Sequence, residues 1–194
     1  MTEPFYLASR AAGVVFDVSV ALFAVGEFQQ ALRVRRAGSR TNLRDEVVFR
    51  LVFFAGILAL PVGARLVPPA HVGGAAIFVV GTVIGWLGLV LRWWSFATLG
   101  RYFTTVIKVS ADQVIVDRGP YRLVRHPGYT GLLFAFAGCG LMIGNWAAAV
   151  LSVAIIASAL VFRLRREERA LVAARGSAYL RYAEGRARLL PFIW

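Results

Sequence analysis

The sequence predicts an all-α integral membrane protein: five transmembrane helices, of which the last two form a hairpin, and a C-terminal cytoplasmic helical segment. Of its 194 residues, 59% are hydrophobic and only 16% are charged, well outside the range of soluble domains. The apolar residues come in long blocks without charges, which a water-soluble core of this size could not enclose. Arginines gather at the ends of these blocks, as the positive-inside bias predicts. We therefore expect residues 1–194 to form a single polytopic membrane domain.

The first predicted span covers about Ala11 to Leu32 and carries two acids, Asp17 and Glu27. We expect a transmembrane helix and not a cleaved signal peptide, because an acid and a proline stand before it where a signal peptide has basic residues. Acids are costly in a bilayer, so they are candidates either for function or for pairing with an arginine of a neighbouring helix. The sequence leaves both roles open for these two acids.

Two further spans precede residue 100. The second covers about Val47 to Val67 and ends at Pro68-Pro69, because proline has no amide hydrogen to continue a helix. The third runs from Val72 to Leu91 and contains no charged residue. Each has roughly the twenty apolar residues that a helix needs to cross the hydrocarbon core.

The fourth and fifth spans lie in one uncharged block, Gly128 to Phe162. At about 1.5 Å per residue a single helix here would be about 52 Å long, far more than one crossing. Gly144-Asn145 near its middle supplies turn residues, so the block predicts a helical hairpin. Residues 100–127 and residues 163–194 are then cytoplasmic, and a helix is expected over Arg165 to Arg175 with Gly176 at its end.

The distribution of positive charge predicts the topology. The formal net charge is +12, and with five spans all cations except Arg10 and Arg65 fall on one side. This places the N-terminus outside and the C-terminus in the cytoplasm, and the arginine- and alanine-rich composition is typical of a bacterial cell membrane protein. Cations at helix ends favour contact with anionic lipid headgroups over nucleic-acid binding. The lone cysteine, Cys139, excludes an intramolecular disulfide, and we predict no metal site.

The segment from Gly119 to Gly131, G-P-Y-R-L-V-R-H-P-G-Y-T-G, differs from the apolar blocks on both sides. We call it the proline loop. Pro120 and Pro127 each lack an amide donor and disfavour helix at the preceding residue, and the glycines permit a positive φ or a close approach. The pattern predicts a folded-back strand or turn whose exposed amides bind a small polar ligand. An ordinary basic loop anchored to headgroups is the alternative.

Identity and spacing of residues from about Gln113 to Trp194 resemble the isoprenylcysteine carboxyl methyltransferase family. The matching residues are Gly119-Pro120-Tyr121, Arg125-His126-Pro127-Gly128-Tyr129, Gly131, Asn145, Arg163, Glu167-Glu168, Leu171, Gly176, Tyr179 and Tyr182. The first hundred residues match in hydropathy only. Gln113 stands where the eukaryotic members usually have histidine, and the expected glutamine around Val106 to Lys108 has no counterpart.

The resemblance implies a site for S-adenosyl-L-methionine. Its residues would be Gln113, Val114, Ile115, Val116, Tyr121, His126, Pro127, Gly128, Tyr129 and Glu167. The residue types suit that ligand: Glu167 can accept from hydroxyls or the ammonium, His126 and the loop amides can donate to the carboxylate, and tyrosine rings can face the sulfonium. No G-x-G-x-x-G fingerprint of a soluble dinucleotide-type fold is present.

The resemblance also assigns Arg163 to catalysis and to binding of the substrate carboxylate. The predicted reaction is carboxyl O-methylation of a prenylated cysteine or a similar lipophilic carboxylate that enters from the lipid. A phospholipid or lipid-amine N-methyltransferase is the nearest alternative, and an NADPH-dependent membrane reductase and a nonenzymatic scaffold are further ones. The sequence leaves the oligomeric state and the physiological acceptor open.

Simpler roles compete for several of these residues. Arg163 and Glu167 are four apart and could form only a surface ion pair. Glu168 points about 100° away from Glu167 on a helix, and a solvated side chain is expected there. Tyr179 and Tyr182 are expected to anchor the C-terminal region at the membrane interface.

Overall fold

A computed structural model describes residues 4–35, 43–100 and 115–191. Within these ranges the chain is almost entirely helical and contains no β-strand longer than an isolated bridge. The helices are α1 (Phe5–Ala8), α2 (Arg10–Arg35), α3 (Leu43–Leu66), α4 (Ala75–Leu99), α5 (Pro127–Ile143), α6 (Trp146–Arg175) and α7 (Ser177–Ala183). Short 3-10 helices cover Pro68–Ala70 and Gly119–Arg122.

Five of these helices, α2 to α6, correspond to the five predicted spans. Four are long and apolar enough to cross a membrane, namely α2, α3, α4 and α6. The remaining one, α5, is apolar but has only 17 residues, about 26 Å of helix. It pairs with α6 in the predicted hairpin. The all-α membrane architecture is therefore confirmed.

Two helices continue beyond their predicted ends. The third span was expected to end at Leu91, but α4 runs on to Leu99 because Arg92 is paired inside the bundle and need not leave it. The fifth span and the helix expected after it are one continuous helix, α6, since no helix-breaking residue stands between Phe162 and Gly176. Gly176 ends α6 with a φ of +49°, as predicted.

Glycines allow α4 and α5 to pack with their backbones in contact. A methyl group on Gly88 would lie 2.5 Å from the Gly131 carbonyl oxygen, and one on Gly131 would lie 2.5 Å from the Gly88 carbonyl oxygen. One on Gly138 would lie 2.5 Å from both the Gly81 carbonyl oxygen and the Gly85 Cα. Small residues of this kind let membrane helices gain dispersion contacts along their whole length. The seam therefore fixes where α5 begins relative to α4.

An apolar core lies between α3, α5 and α6. Its buried members are Leu60, Leu132, Phe136, Ile143, Ile156 and Leu160. Phe136 also receives Phe23 from α2 and Phe53 from α3 in edge-to-face contacts with ring centroids 5.7 and 5.9 Å apart. Side chains of α2 and α3 thus meet at one aromatic ring of α5.

One end of the bundle, which we call the turn end, is closed by the predicted Gly144-Asn145 turn. Gly144 adopts a left-handed φ of +72°, and its carbonyl accepts from the Val72 amide at 2.8 Å. The Asn145 side chain caps α6 by accepting from the Ala148 amide and donates to the Val67 carbonyl, both at 2.9 Å. The α3–α4 connection and the α5–α6 turn therefore share this end. The proline loop and the end of α6 lie at the other, which we call the site end.

Candidate active site

The proline loop folds back as predicted, but as a 3-10 turn instead of a strand. Gly119 opens the turn with a φ of +57°, and Pro127 is the first residue of α5, where its missing amide hydrogen costs nothing. Between them, Val124 forms a single parallel bridge to Ala187. Ala187 belongs to residues 184–191, the described part of the chain after α7, which we call the tail segment. The loop is therefore held between α4 and the tail segment.

Most of the loop amides donate to carbonyls of the protein itself. Arg125 N donates to Ala187 O at 2.9 Å and His126 N donates to Arg188 O at 3.0 Å. The other bonded amides are those of Tyr121, Leu123, Val124, Tyr129 and Thr130. The prediction of exposed amides is wrong for these residues, because the tail segment and the turn satisfy them first. Ligand recognition at this site falls to side chains.

The proline loop and the acid near the end of α6 meet, as the sequence predicts. His126 Nδ1 lies 4.0 Å from Glu167 Oε2, and the Tyr129 hydroxyl donates to the same oxygen at 2.8 Å. The His126 and Tyr129 rings stack with centroids 5.5 Å apart. Tyr121 is close as well: burial, and then the neighbouring Glu167 charge, hold its pKa well above the usual value, so it stays protonated. These four side chains form one side of the site.

Arg163 lies on the other side of the Tyr129 hydroxyl. Its Nε donates to that hydroxyl at 3.1 Å, and its guanidinium carbon stands 4.6 Å from the centre of the Phe49 ring of α3. Only 7% of Arg163 is exposed, so the role of a simple surface ion pair does not describe it. A hydrogen-bonded chain runs from Arg163 through Tyr129 to Glu167.

Glu168 differs most from its expected place. The residue is buried, with 9% exposed, and its carboxylate faces Arg125 Nη1 at 2.7 Å and Arg188 Nε at 2.9 Å. The expectation of a solvated side chain is wrong, because the proline loop and the tail segment wrap around this face of α6. A helical wheel contains no information about such neighbours.

Of the two tyrosines of α7, Tyr179 is buried and Tyr182 is half-buried. Tyr179 is 4% exposed and its hydroxyl lies 3.5 Å from Glu168 Oε1. The Tyr182 hydroxyl donates to the Tyr121 carbonyl at 3.1 Å. Burial raises the pKa of Tyr182 to about 12, which keeps its hydroxyl a donor at all physiological pH values. The expected role as an interface anchor is therefore wrong for Tyr179, and Tyr182 supports the proline loop through its bond to Tyr121.

The acid Glu27 of the first span has a partner. Arg92 forms a two-point ion pair with it, Nε to Oε1 at 2.5 Å and Nη2 to Oε2 at 2.8 Å, as the pairing alternative predicts. The third donor, Arg92 Nη1, reaches the Gly128 carbonyl at 2.8 Å. Asp17 is exposed on the surface of α2. The pair links α2 to the first turn of α5, next to the site.

The remaining predicted site residues divide into three groups. Pro127 and Gly128 form the first turn of α5 beside His126. Ile115 and Val116 are half-buried in irregular chain before the proline loop, whereas Gln113 and Val114 lie outside the described residues. Cys139 is half-buried in α5. Among the described residues, no group of three or more histidine, cysteine or acidic side chains is arranged to hold a metal ion.

The site suits a small ligand that carries both signs of charge. The Glu167 side chain is 33% exposed while that of His126 is only 6% exposed, so the acid is the accessible charge beside a buried aromatic and imidazole wall. A carboxylate next to aromatic faces fits a cationic ligand, and the His126 ring can donate to an anionic group. The residues present therefore fit S-adenosylmethionine.

Comparison with known proteins agrees with the resemblance seen in the sequence of the proline loop and α6. The model of the isoprenylcysteine carboxyl methyltransferase family matches residues 79–173, which include α5, most of α4 and α6, and the proline loop. A probable protein-S-isoprenylcysteine O-methyltransferase of Oryza sativa subsp. indica is 29% identical over 191 residues, covering 96% of this chain and 100% of that protein. The chain is therefore similar to the isoprenylcysteine carboxyl methyltransferase family from α4 to α6, and it is similar to the rice relative over nearly its whole length.

Two further proteins match this chain, one over a shorter stretch and the other at lower identity. Protein-S-isoprenylcysteine O-methyltransferase A of Arabidopsis thaliana is 34% identical over 115 residues, 58% of each chain. A solved structure of a eukaryotic intramembrane Ras methyltransferase, isoprenylcysteine carboxyl methyltransferase, matches with a TM-score of 0.62 at 20% identity. The match covers 92% of this chain and 67% of that one, and it shows a shared fold.

Proposed function

We propose that this membrane methyltransferase transfers a methyl group from S-adenosyl-L-methionine to the carboxylate of a prenylated cysteine or a similar lipophilic acid. The observation that carries the proposal is the chain from Arg163 through Tyr129 to Glu167. Arg163, a cation suited to an acceptor carboxylate, lies on one side of the Tyr129 hydroxyl. Glu167, an acid suited to a cationic methyl donor, lies on the other. Arg163 also lies against Phe49 of the apolar bundle.

The donor side consists of Glu167, His126 and the two loop tyrosines. When bound, S-adenosylmethionine supplies an electrophilic methyl group on a sulfonium. Glu167 accepts hydrogen bonds from hydroxyl or ammonium groups, and the His126 ring donates to a carboxylate. Tyr121 and Tyr129 present aromatic faces to positive charge. The stretch Gln113 to Val116 and the first turn of α5 at Pro127-Gly128 complete the proposed cofactor site.

The acceptor side centres on Arg163. A cysteine α-carboxylate has a reference pKa of about 3.5, so it is ionised at neutral pH and needs no general base. Arg163 binds it through its guanidinium and leaves one oxygen directed at the methyl group. Tyr129 and Phe49 hold the guanidinium plane, and the buried position of Arg163 excludes water. Alignment and dehydration then account for catalysis.

The acceptor's tail is proposed to reach the site from the lipid, between the helices. The motivation is that Arg163 contacts Phe49 of α3 and stands at the end of an apolar span. From the charge distribution we propose that the site end lies at the cytoplasmic face of a bacterial inner membrane and that the N-terminus lies outside. Anionic headgroups at that face are the expected lipid contacts.

The experiment uses the purified protein in detergent. Calorimetry with S-adenosylhomocysteine should show saturable binding, and incubation with labelled S-adenosylmethionine and S-farnesyl-cysteine should give a base-labile methyl ester by mass spectrometry. Lack of binding would remove the methyltransferase proposal. Binding accompanied by methylation of a phospholipid amine, and not of the carboxylate, would instead support the lipid-amine alternative.

A further inference from the structure

Glu168 joins three parts of the chain that are distant in sequence. Its Oε1 faces Arg125 Nη1 at 2.7 Å and His126 Nε2 at 3.4 Å in the proline loop, and its Oε2 accepts from Arg188 Nε at 2.9 Å in the tail segment. The Tyr179 hydroxyl of α7 lies 3.5 Å from Oε1. One carboxylate on α6 therefore contacts the loop, the tail segment and α7.

The same parts are also joined through the backbone. The carbonyls of Ala187 and Arg188 accept from the amides of Arg125 and His126. The Leu189 carbonyl accepts from the Thr130 hydroxyl of α5 at 2.6 Å. The tail segment thus lies along the proline loop for three consecutive residues, with Glu168 beneath the point of contact.

The environment of Glu168 requires a carboxylate. Two arginines converge on a side chain that is 11% exposed, and removing the shared anion would leave their charges close together with little water to screen them. The contact to His126 Nε2 also has a directional effect. With Nε2 held towards Glu168, the Nδ1 edge of the ring faces Glu167 at 4.0 Å, inside the proposed donor site.

We propose that Glu168 is a positioning residue: it fixes the proline loop and the tail segment to α6 and orients the His126 ring towards Glu167. Its link to cofactor affinity rests on the proposed function, whereas its effect on loop order does not. Glu167 and Glu168 then have separate roles, since one carboxylate is accessible to ligand and the next one holds the structure that surrounds the ligand.

The test uses the full-length protein in detergent and two kinds of measurement. Hydrogen exchange followed by mass spectrometry reports the order of the loop and tail peptides without any ligand, and calorimetry with S-adenosylhomocysteine reports the donor site. Glu168→Gln keeps shape and removes charge, and Arg188→Gln is a milder second variant in case the first does not fold. Asp117→Asn is the matched control, because the Asp117–Arg186 pair joins the tail segment to the chain just before the proline loop but Asp117 is 50% exposed.

Glu168→Gln should accelerate exchange of peptides covering residues 123–130 and 185–190 by about tenfold and weaken S-adenosylhomocysteine binding by about tenfold, as expected for loss of charged hydrogen bonds. The KM for the acceptor should change less than about twofold. Asp117→Asn should change exchange less than about twofold, because exposed pairs contribute little. Unchanged exchange in both Glu168→Gln and Arg188→Gln would overturn the proposal.

A double variant separates positioning from a general structural role. If Glu168 acts through His126, then Glu168→Gln should weaken binding far less in a His126→Asn background than in the wild type. Fully additive effects would show that it does not act through the imidazole. If the wild type itself binds no S-adenosylhomocysteine, the proposed function fails, and the exchange data alone decide whether Glu168 orders the loop.

Discussion

The two ends of the helix bundle use polar groups in opposite ways. At the turn end, Asn145 and Gly144 make neutral hydrogen bonds to backbone groups of the α3–α4 connection, and Asn145 is 1% exposed. At the site end, carboxylates and arginines gather in the same volume, and the Glu167 side chain remains a third exposed. The neutral, satisfied groups of the turn end stabilise the fold, whereas at the site end the partly exposed Glu167 is the charge proposed to meet a ligand.

Substitutions at the two ends of the bundle should therefore have separable effects on stability and on ligand affinity. Changes at the turn end should lower stability and leave affinity intact, and changes to accessible groups at the site end should do the reverse. A change in the seam between α4 and α5 should affect both ends, because the seam fixes their relative position.

Gly138→Ala is expected to have the largest effect and would show that the seam serves both ends. Its methyl group would meet backbone atoms of Gly81 and Gly85 at 2.5 Å or less, which no side-chain movement can relieve. Overpacking against backbone should cost about 3 kcal/mol and lower both thermal stability and activity. Gly73→Ala is the control, because a methyl group there meets nothing within 4 Å. Equal melting temperatures for the two variants would contradict the close backbone packing of α4 against α5 at this glycine.

Arg163→Ala should lower kcat by about a hundredfold or more, because the acceptor carboxylate loses its alignment with the methyl group. Affinity for S-adenosylhomocysteine should change less than about threefold. Arg165→Ala, an exposed arginine two residues along α6, is the control and should be near wild type. Full turnover by Arg163→Ala on S-farnesyl-cysteine would remove this residue from the acceptor site.

Asn145→Ala tests the turn end. It removes the cap of α6 and the donor to the buried Val67 carbonyl, with an expected loss of about 2–3 kcal/mol in unfolding free energy. Asn145→Asp keeps the acceptor for the cap but turns a buried carboxylate oxygen towards the Val67 carbonyl, so it should destabilise at least as much. Thermal unfolding measures the stability of each variant, and calorimetry on the folded protein measures its affinity for S-adenosylhomocysteine. A marked fall in S-adenosylhomocysteine affinity at unchanged stability would show that the turn end contributes to ligand binding and not to stability.

Glu167→Gln tests the accessible charge of the site end. Loss of a charged acceptor should weaken S-adenosylhomocysteine binding by about tenfold, while the melting temperature should change little because the side chain is a third exposed. Glu184→Gln changes an exposed acid of the tail segment and should have no effect on binding. A stability loss as large as that of Asn145→Ala would mean that Glu167 is structural.

The smallest expected effect is that of pH on the chemical step. A carboxylate acceptor stays ionised well above a pKa of about 3.5, so kcat should vary less than about twofold between pH 6 and 8. An amine acceptor must lose a proton before it is methylated. Below the pKa of the amine, the methylation rate would fall about tenfold for each unit by which the pH is lowered. Rate measurements with S-farnesyl-cysteine over this range distinguish the two acceptor classes.

Much of the fold follows from local features of the sequence. Hydropathy and length predicted the five apolar helices α2 to α6, because helices in a bilayer must satisfy their own backbone, and Gly144-Asn145 predicted the turn. The meeting of His126 with Glu167 also followed, from a resemblance in residue identity and spacing. Glu168 was misplaced because its surroundings come from the proline loop and the tail segment, and Tyr179 because its hydroxyl lies against Glu168 of α6.

The sequence by itself determined which segments enter the membrane, where each turns, and which residue types are available for a donor of mixed charge. Only the tertiary structure decided which of two adjacent glutamates is accessible, which arginine pairs with Glu27, and which amides of the loop are occupied. The physical reason is that burial and pairing of a charge depend on every segment packed around it. Local periodicity describes only one of those segments.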